Sequence, residues 1–239
     1  MVWSELTQKI KKFGGVFALS PAVAGLVIVG SLTGIYQTLE WSLSDHWFRI
    51  KASESRDSRI VIVEVGESDI GELGQWPMSD GTMAKLLTKI KQQQPRVIGL
   101  DFYRDLNQGE LEGQQQLEQI FRTTPNIIGV KKAISDQVKP SPVLDELGQV
   151  AMADFILDAD GKVRRALILA GFDNGEVEFN LGALTALIYL EQDNILLQDT
   201  DEATVKTLGQ TKISALKSNS AGYVGADTAG FQTLINYRS

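Results

Sequence analysis

The apolar residues of this chain alternate between short blocks and helical stripes. Arg59 to Gly66 (RIVIVEVG) is dense in Val and Ile and too short for a stable helix, so it reads as a buried strand. A turn-rich segment with Gly71, Gly74, Trp76 and Pro77 follows. Met83, Leu86, Leu87 and Ile90 then recur at i, i+3, i+4 and i+7, which predicts an amphipathic helix. Arg96 to Phe102 (RVIGLDF) supplies a second short apolar block, and a helix between two such blocks is the pattern of a right-handed crossover in a parallel sheet. Leu117, Ile120 and Phe121 make another short stripe, and Asn126 to Val130 offers a third strand. Lys131 to Pro142 reads as a loop, because Pro140 and Pro142 oppose regular pairing. Val150 to Ile156 and Lys162 to Gly171 flank Asp158-Ala159-Asp160-Gly161, which predicts a hairpin with Gly161 at the turn. Those two aspartates also faintly resemble the start of a calcium loop, but the further ligand and the late glutamate that such a loop needs are missing. Phe179 to Leu190 is apolar on nearly all faces and reads as a buried helix. Strands are predicted between Thr204 and Leu216 and from Phe231 to Tyr237.

The N-terminal pattern is different. Residues 13–39 carry no charged side chain, and about 20 apolar residues suffice for a helix to cross the hydrocarbon layer. The competing reading is a cleaved signal peptide, since Ala22-Val23-Ala24 has small residues where cleavage would occur. The apolar run continues well past that point, which favours an uncleaved anchor. Lys9, Lys11 and Lys12 precede the run, whereas Glu40 and Asp45 follow it, so the positive-inside rule places the N-terminus in the cytoplasm and the rest outside. Tyr36, Trp41, Trp47 and Phe48 suit the outer interface, or the packing of a juxtamembrane helix onto the folded part.

Charge and composition narrow the chemistry. A hydrophobic fraction of 43% over 239 residues allows a full core. The net charge of −7, which becomes −9 once residues 1–12 with Lys9, Lys11, Lys12 and Glu5 are set aside, argues against a nucleic-acid partner. Cysteine is absent, which removes disulfides and thiolate metal sites. His46 is the only histidine and precedes the folded part, so a serine triad or zinc site has no material to work with. No nucleotide-binding glycine motif is present, and no cofactor is expected. Carboxylates remain. Glu64, Glu67 and Asp69 leave the first predicted strand, and Asp101 and Asp105 leave the second, so a parallel sheet would gather them at its carboxyl edge, where open α/β folds bind ligands. They could hold a divalent metal or activate water, or be solvated loop charges neutralised by Arg104, Arg164 and Arg165. The residues expected to line a binding cleft at this edge are Glu67, Asp69, Trp76, Asp101, Tyr103 and Arg104, with ordinary loop packing as the alternative for Trp76 and Tyr103.

The succession RIVIVEVGESDIGELGQWPMSD, PRVIGLDFYRDL, GQVAMADFILDADGKVRRALIL and LINYRS resembles the second type of CHASE domain, the cyclase/histidine-kinase-associated sensory extracellular domain, from about Leu39 to Tyr237. One departure stands out: the family pattern is Trp-Pro, an aromatic and Ser-Arg, where this chain has Trp76-Pro77-Met78-Ser79-Asp80. The resemblance implies an extracytoplasmic sensory module behind an N-terminal membrane helix, feeding an intracellular cyclase or kinase through further membrane helices. It also implies a domain that continues beyond the Asn-Tyr-Arg block. Pattern and resemblance together predict an α/β protein: a cytoplasmic N-terminus (1–12), a transmembrane helix (13–39), and a three-layer, mixed-sheet sensor domain (40–239) that is incomplete at its C-terminus. The expected function is signal input in a bacterial signal-transduction protein of the inner membrane, with no catalytic residue and no resident metal. The expected partners are the membrane, a small molecule or other stimulus, and a second copy or a separate signalling subunit. Two alternatives stay open: a membrane-tethered, carboxylate- and metal-dependent hydrolase built on Glu64, Asp101 and Asp105, and a truncated adaptor that pairs with a signalling subunit.

Overall fold

A computed structural model describes residues 19–238. They form two units: one from the residues up to Ser55 with Lys217–Thr228 and the residues from Asn236 on, the other from Arg56–Leu216 with Ala229–Ile235.

The first unit is built on two helices, α1 (Leu19–Leu32) and α2 (Gln37–Ile50), which meet at 81°. The apolar run predicted as one span is thus broken. Thr33 turns its hydroxyl back onto the carbonyls of Val29 (2.8 Å) and Gly30 (3.2 Å), and Gly34 adopts φ +78°, a left-handed conformation that ends a helix and that glycine enters without a Cβ clash. Among the described residues no single helix is long and apolar enough to cross a membrane; α1 and α2 meet that requirement only as a bent pair. Residues 13–18 of the expected span, and the lysines that orient it, lie outside the described residues. The returning segments pack on α2. Trp41 and Tyr223 are both buried, with ring centroids 5.3 Å apart, Phe48 meets Tyr237 edge-on at 6.2 Å, and the Gln37 Oε1 accepts the Val224 N–H at 2.8 Å. Trp41 and Phe48 therefore follow the packing alternative for this aromatic group.

The second unit is the α/β body. Its centre is a parallel sheet in the order β1 (Ile98–Gly99), β2 (Ile127–Lys131), β3 (Val150–Met152). The expected helical stripes lie on α4 (Asp80–Gln92) and α5 (Leu111–Arg122); α5 connects β1 to β2, and α6 (Pro142–Glu146) connects β2 to β3. α6 begins within the stretch expected to be loop, with Pro142 in its first turn, where a missing N–H does no harm. The main core joins Met83 and Leu87 of α4, Leu117 and Phe121 of α5 and Leu144 of α6 to Ile98 and Ile127 of the sheet. The helix α7 (Leu181–Glu191) packs on β1 through Leu181 and Thr185, which stand over Gly99. It is apolar all round as expected, yet half-buried rather than buried, because the sheet covers only part of it. Two antiparallel sheets complete the body. One has the order β5 (Val177–Phe179), β4 (Arg165–Gly171), β9 (Phe231–Leu234); the other is the meander β6 (Leu197–Asp199), β7 (Val205–Leu208), β8 (Thr211–Ser214). A single parallel bridge, Met152 to Asn180, links the edge of β3 to the end of β5.

Two strand expectations are overturned. Arg59 to Gly66 is extended but not a strand: Ile60, Val61, Ile62 and Val63 are 70%, 82%, 84% and 54% exposed, and among the described residues no hydrogen bond reaches the backbone of residues 61–65. Apolar composition signals a need for cover but names no partner, and here only Val65 reaches the core. The predicted hairpin of Val150–Ile156 with Lys162–Gly171 does not form either. β3 pairs with β2 and β4 with β5 and β9, leaving one antiparallel bridge, Ile156 to Arg165. The turn itself is present, with Gly161 at φ +76° and its N–H donated to the Asp158 carbonyl at 2.8 Å.

Candidate ligand-binding edge of the parallel sheet

The chain leaves β1 in an extended form whose side chains alternate. Leu100 and Arg104 turn inward and are buried, Phe102 is half-buried, and Asp101 and Tyr103 turn outward. The loop before α4 lies against this segment. Trp76, half exposed and joined to Pro77 by a cis peptide, tilts over Phe102 at 5.9 Å. Met78 is buried just beyond it, and Ser79 caps α4 by accepting the Thr82 N–H at 3.3 Å.

Arg104 lies beneath this surface. Its Nη2 donates to the Met78 carbonyl at 2.9 Å, and its Nη1 is 3.5 Å from Asp80 Oδ1. Asp80 in turn accepts the Gln108 N–H at 2.8 Å and donates its own N–H to the Gln108 carbonyl at 2.7 Å, which fastens the loop after β1 to the start of α4. Burial holds the Arg104 guanidinium below its ordinary pKa, and Asp80 offsets part of that shift. The Asp80 carboxylate is the ionic partner of Arg104.

The other strand ends converge on Asp154, which sequence reasoning missed. This buried carboxylate follows β3 and accepts the N–H groups of Ala133 (2.8 Å) and Ile134 (3.1 Å), which follow β2. Its backbone carbonyl accepts from the Asn180 side chain at 3.0 Å. Tyr103 senses the same group: partial burial, then the negative charges of Asp101 and Asp154, push its phenol pKa up. Loops from all three parallel strands thus meet at one edge. The signal available in the sequence was position, since Asp154 ends its strand as Asp101 ends β1. A cleft of about 610 Å³ opens beside the starts of α4 and α5, among Leu73, Gln75, Ser79, Lys85, Glu110 and Gln116. A smaller one of about 220 Å³ follows β2, among Lys131, Lys132, Gln137, Lys139, Glu176 and Glu178.

The remaining expected residues make contacts of their own. Glu67 opens the short helix α3 (Glu67–Leu73) and is exposed, while Asp69 accepts the Gly66 N–H at 2.8 Å and so caps that helix. Arg164 and Arg165 do not serve the strand-end carboxylates. They enclose the fully buried Asp158, at 2.9 Å and 3.0 Å, and Arg165 reaches on to Gln232 at 3.0 Å. Asp160 takes two bonds from Arg164, at 2.9 Å and 2.7 Å, and this guanidinium pulls its pKa down to about 2. The two aspartates that resemble a calcium loop are therefore bound to arginines. Among the described residues no three His, Cys, Asp or Glu side chains are grouped as a metal ion would require, so Glu64, Asp101 and Asp105 do not form such a set.

No curated protein and no solved structure matches the chain. A family model does: that of the CHASE2 domain aligns with residues 22–239, which include the whole α/β body and the edge just described. The chain belongs to the CHASE2 family of extracellular sensory domains.

Proposed function

We propose that this chain is the membrane-anchored, extracytoplasmic input domain of a bacterial signal-transduction protein, without catalytic activity of its own, and that it receives a small molecule at the carboxyl edge of the parallel sheet. The observation that carries the second half is the meeting of the three strand-end loops, with Asp101, Tyr103 and Trp76 presented outward and Asp154 and Arg104 fixing the loops from beneath. Small polar molecules bind open α/β folds at such an edge because loop side chains and helix N-termini converge there on a rigid sheet. The anchor is the apolar helix α1 with the residues before it, which puts residues 1–12 in the cytoplasm and the body outside. An occupant alters output only by favouring one arrangement of these loops over another. The change would be read by a second copy or by a separate signalling subunit.

The chain lacks cysteine, so one thiol placed on the exposed face of α5, Glu112→Cys, reports the side of the membrane. A membrane-impermeant maleimide should label it in intact cells. Labelling only after lysis overturns the extracytoplasmic assignment. For the edge, thermal unfolding of the full chain in detergent with a panel of amino acids and dicarboxylates should give a shift with at least one compound. That shift should be lost in Tyr103→Ala, and a shift that survives there places the compound elsewhere.

A further inference from the structure

Helix α2 has two apolar faces, and only one is closed by its own unit. Trp41, Phe48 and Gln37 face the returning segments, whereas Leu39, Leu43, Trp47 and Ile50, at spacings of four, four and three, form a stripe along another side. All four are more than half exposed. Thr38, Ser42 and Arg49 lie on the third side, so the stripe is bordered by polar residues and not scattered among them. A groove of about 370 Å³ lined by Ser44, Trp47, Phe48, Ile50 and Lys51 opens beside it.

The occupant follows from what the stripe is joined to. α1 exposes Leu26, Val27, Ile28 and Val29 in succession, and four consecutive residues point to all sides of a helix. A helix that is apolar on every side calls for an apolar solvent on every side, which no single protein face supplies. α1 meets α2 at 81°. If α1 enters a bilayer near its normal, α2 is directed along the surface.

We infer that α2 lies in the lipid–water interface, with Leu39, Leu43, Trp47 and Ile50 set into the boundary between headgroups and acyl chains. This rests on the membrane-anchored reading above and adds an orientation to it. Trp47 is suited to the place, since its ring has an apolar body and a polar N–H. An interfacial helix needs a narrow apolar face and a polar remainder, and α2 has both.

The absence of cysteine makes the test direct. Single cysteines replace Leu39, Leu43, Trp47 and Ile50 on the stripe, Thr38, Ser42 and Arg49 on the polar side, and Val23 and Leu26 in α1. Each full chain is spin-labelled and reconstituted into phosphatidylcholine/phosphatidylglycerol vesicles, and collisions with oxygen and with a neutral nickel chelate are compared. Stripe positions should favour oxygen over nickel severalfold more than polar positions do, at a depth shallower than Val23 and Leu26. Stripe labels as nickel-accessible as the polar ones, with α1 labels still in lipid, overturn the inference and leave the anchor standing. Water-exposed labels at every position overturn both. Polar-side labels as deep as those of α1 make α2 part of a span and overturn the interfacial assignment. Spin–spin broadening at Leu43→Cys that disappears on dilution with unlabelled chain assigns the stripe to a second copy, with the same result. Quenching of wild-type fluorescence by brominated lipid, reduced in Trp47→Phe but not in Trp41→Phe, checks the orientation without any label.

Discussion

Two runs in the α/β body are nearly interchangeable in composition, and their fates are opposite. Ile127-Ile128-Gly129-Val130 is enclosed on every side, whereas Ile60-Val61-Ile62-Val63 is open to solvent. The first run has β1 on one flank, through Ile98 N–H to Asn126 and Leu100 N–H to Ile128, and β3 on the other, through Gly129 N–H to the Gln149 carbonyl. α6 is so close that a Cβ on Gly129 would come within 2.6 Å of Leu144 Cδ1. The second run has none of these neighbours. Enclosure is therefore a property of the neighbours of a strand, and apolar sequence alone records only the demand for it.

If that lesson is right, the largest loss of stability should come from removing a partner inside the enclosed region. Asp80→Ala leaves the buried Arg104 guanidinium without its carboxylate and should cost about 3–5 kcal/mol, measured by denaturant unfolding. Ile127→Ala should follow at about 2–5 kcal/mol, since the cavity has no room to collapse. Gly129→Ala, which adds a methyl where Leu144 already stands, should cost about 1–3 kcal/mol. Asp160 carries the comparison to an open charge. Its carboxyl pKa is drawn from 3.8 to about 2 in the folded state, so what it contributes is complete above pH 4 and fades as pH falls through 2. Asp160→Asn should abolish that part of the acid dependence, seen as a smaller difference in unfolding midpoint between pH 5 and pH 2. The smallest effect belongs to Ile62→Ala, which should change stability by no more than about 0.5 kcal/mol. Amide exchange breaks the comparison most directly. The N–H groups of residues 61–65 should exchange nearly as in an unfolded chain, and those of Ile127–Val130 only on global opening; equal protection in the two runs would refute the contrast.

Much of the body was legible where a local pattern decides the outcome. The stripe of Met83, Leu86, Leu87 and Ile90 became α4, Leu117, Ile120 and Phe121 became the inner face of α5, and Asn126 to Val130 marked β2 to within a residue. The family was legible too, because the order of its blocks survives in the sequence. Pairing was not, since pairing is decided between distant segments: β4 chose Phe231–Leu234 and Val177–Phe179 over the neighbouring block at Val150. The arrangement of the candidate edge was half legible. Asp101 and Tyr103 could be placed at a strand end from the apolar block before them, but the ionic bond of Arg104 to Asp80 joins residues 24 positions apart and no local signal announces it. The break after Leu32 falls at Thr33 and Gly34, inside a run that carries no charge to announce it.

The segments that return to α2 have one more consequence. Val224 meets Gln37 and Asn236 meets Lys51 across 187 and 185 residues of chain, so distant stretches of the sequence are clasped together beside α2. Tension drawn along the backbone from either side is borne first by that clasp, and the sheets feel it only after Trp41 and Tyr223, or Phe48 and Tyr237, have parted.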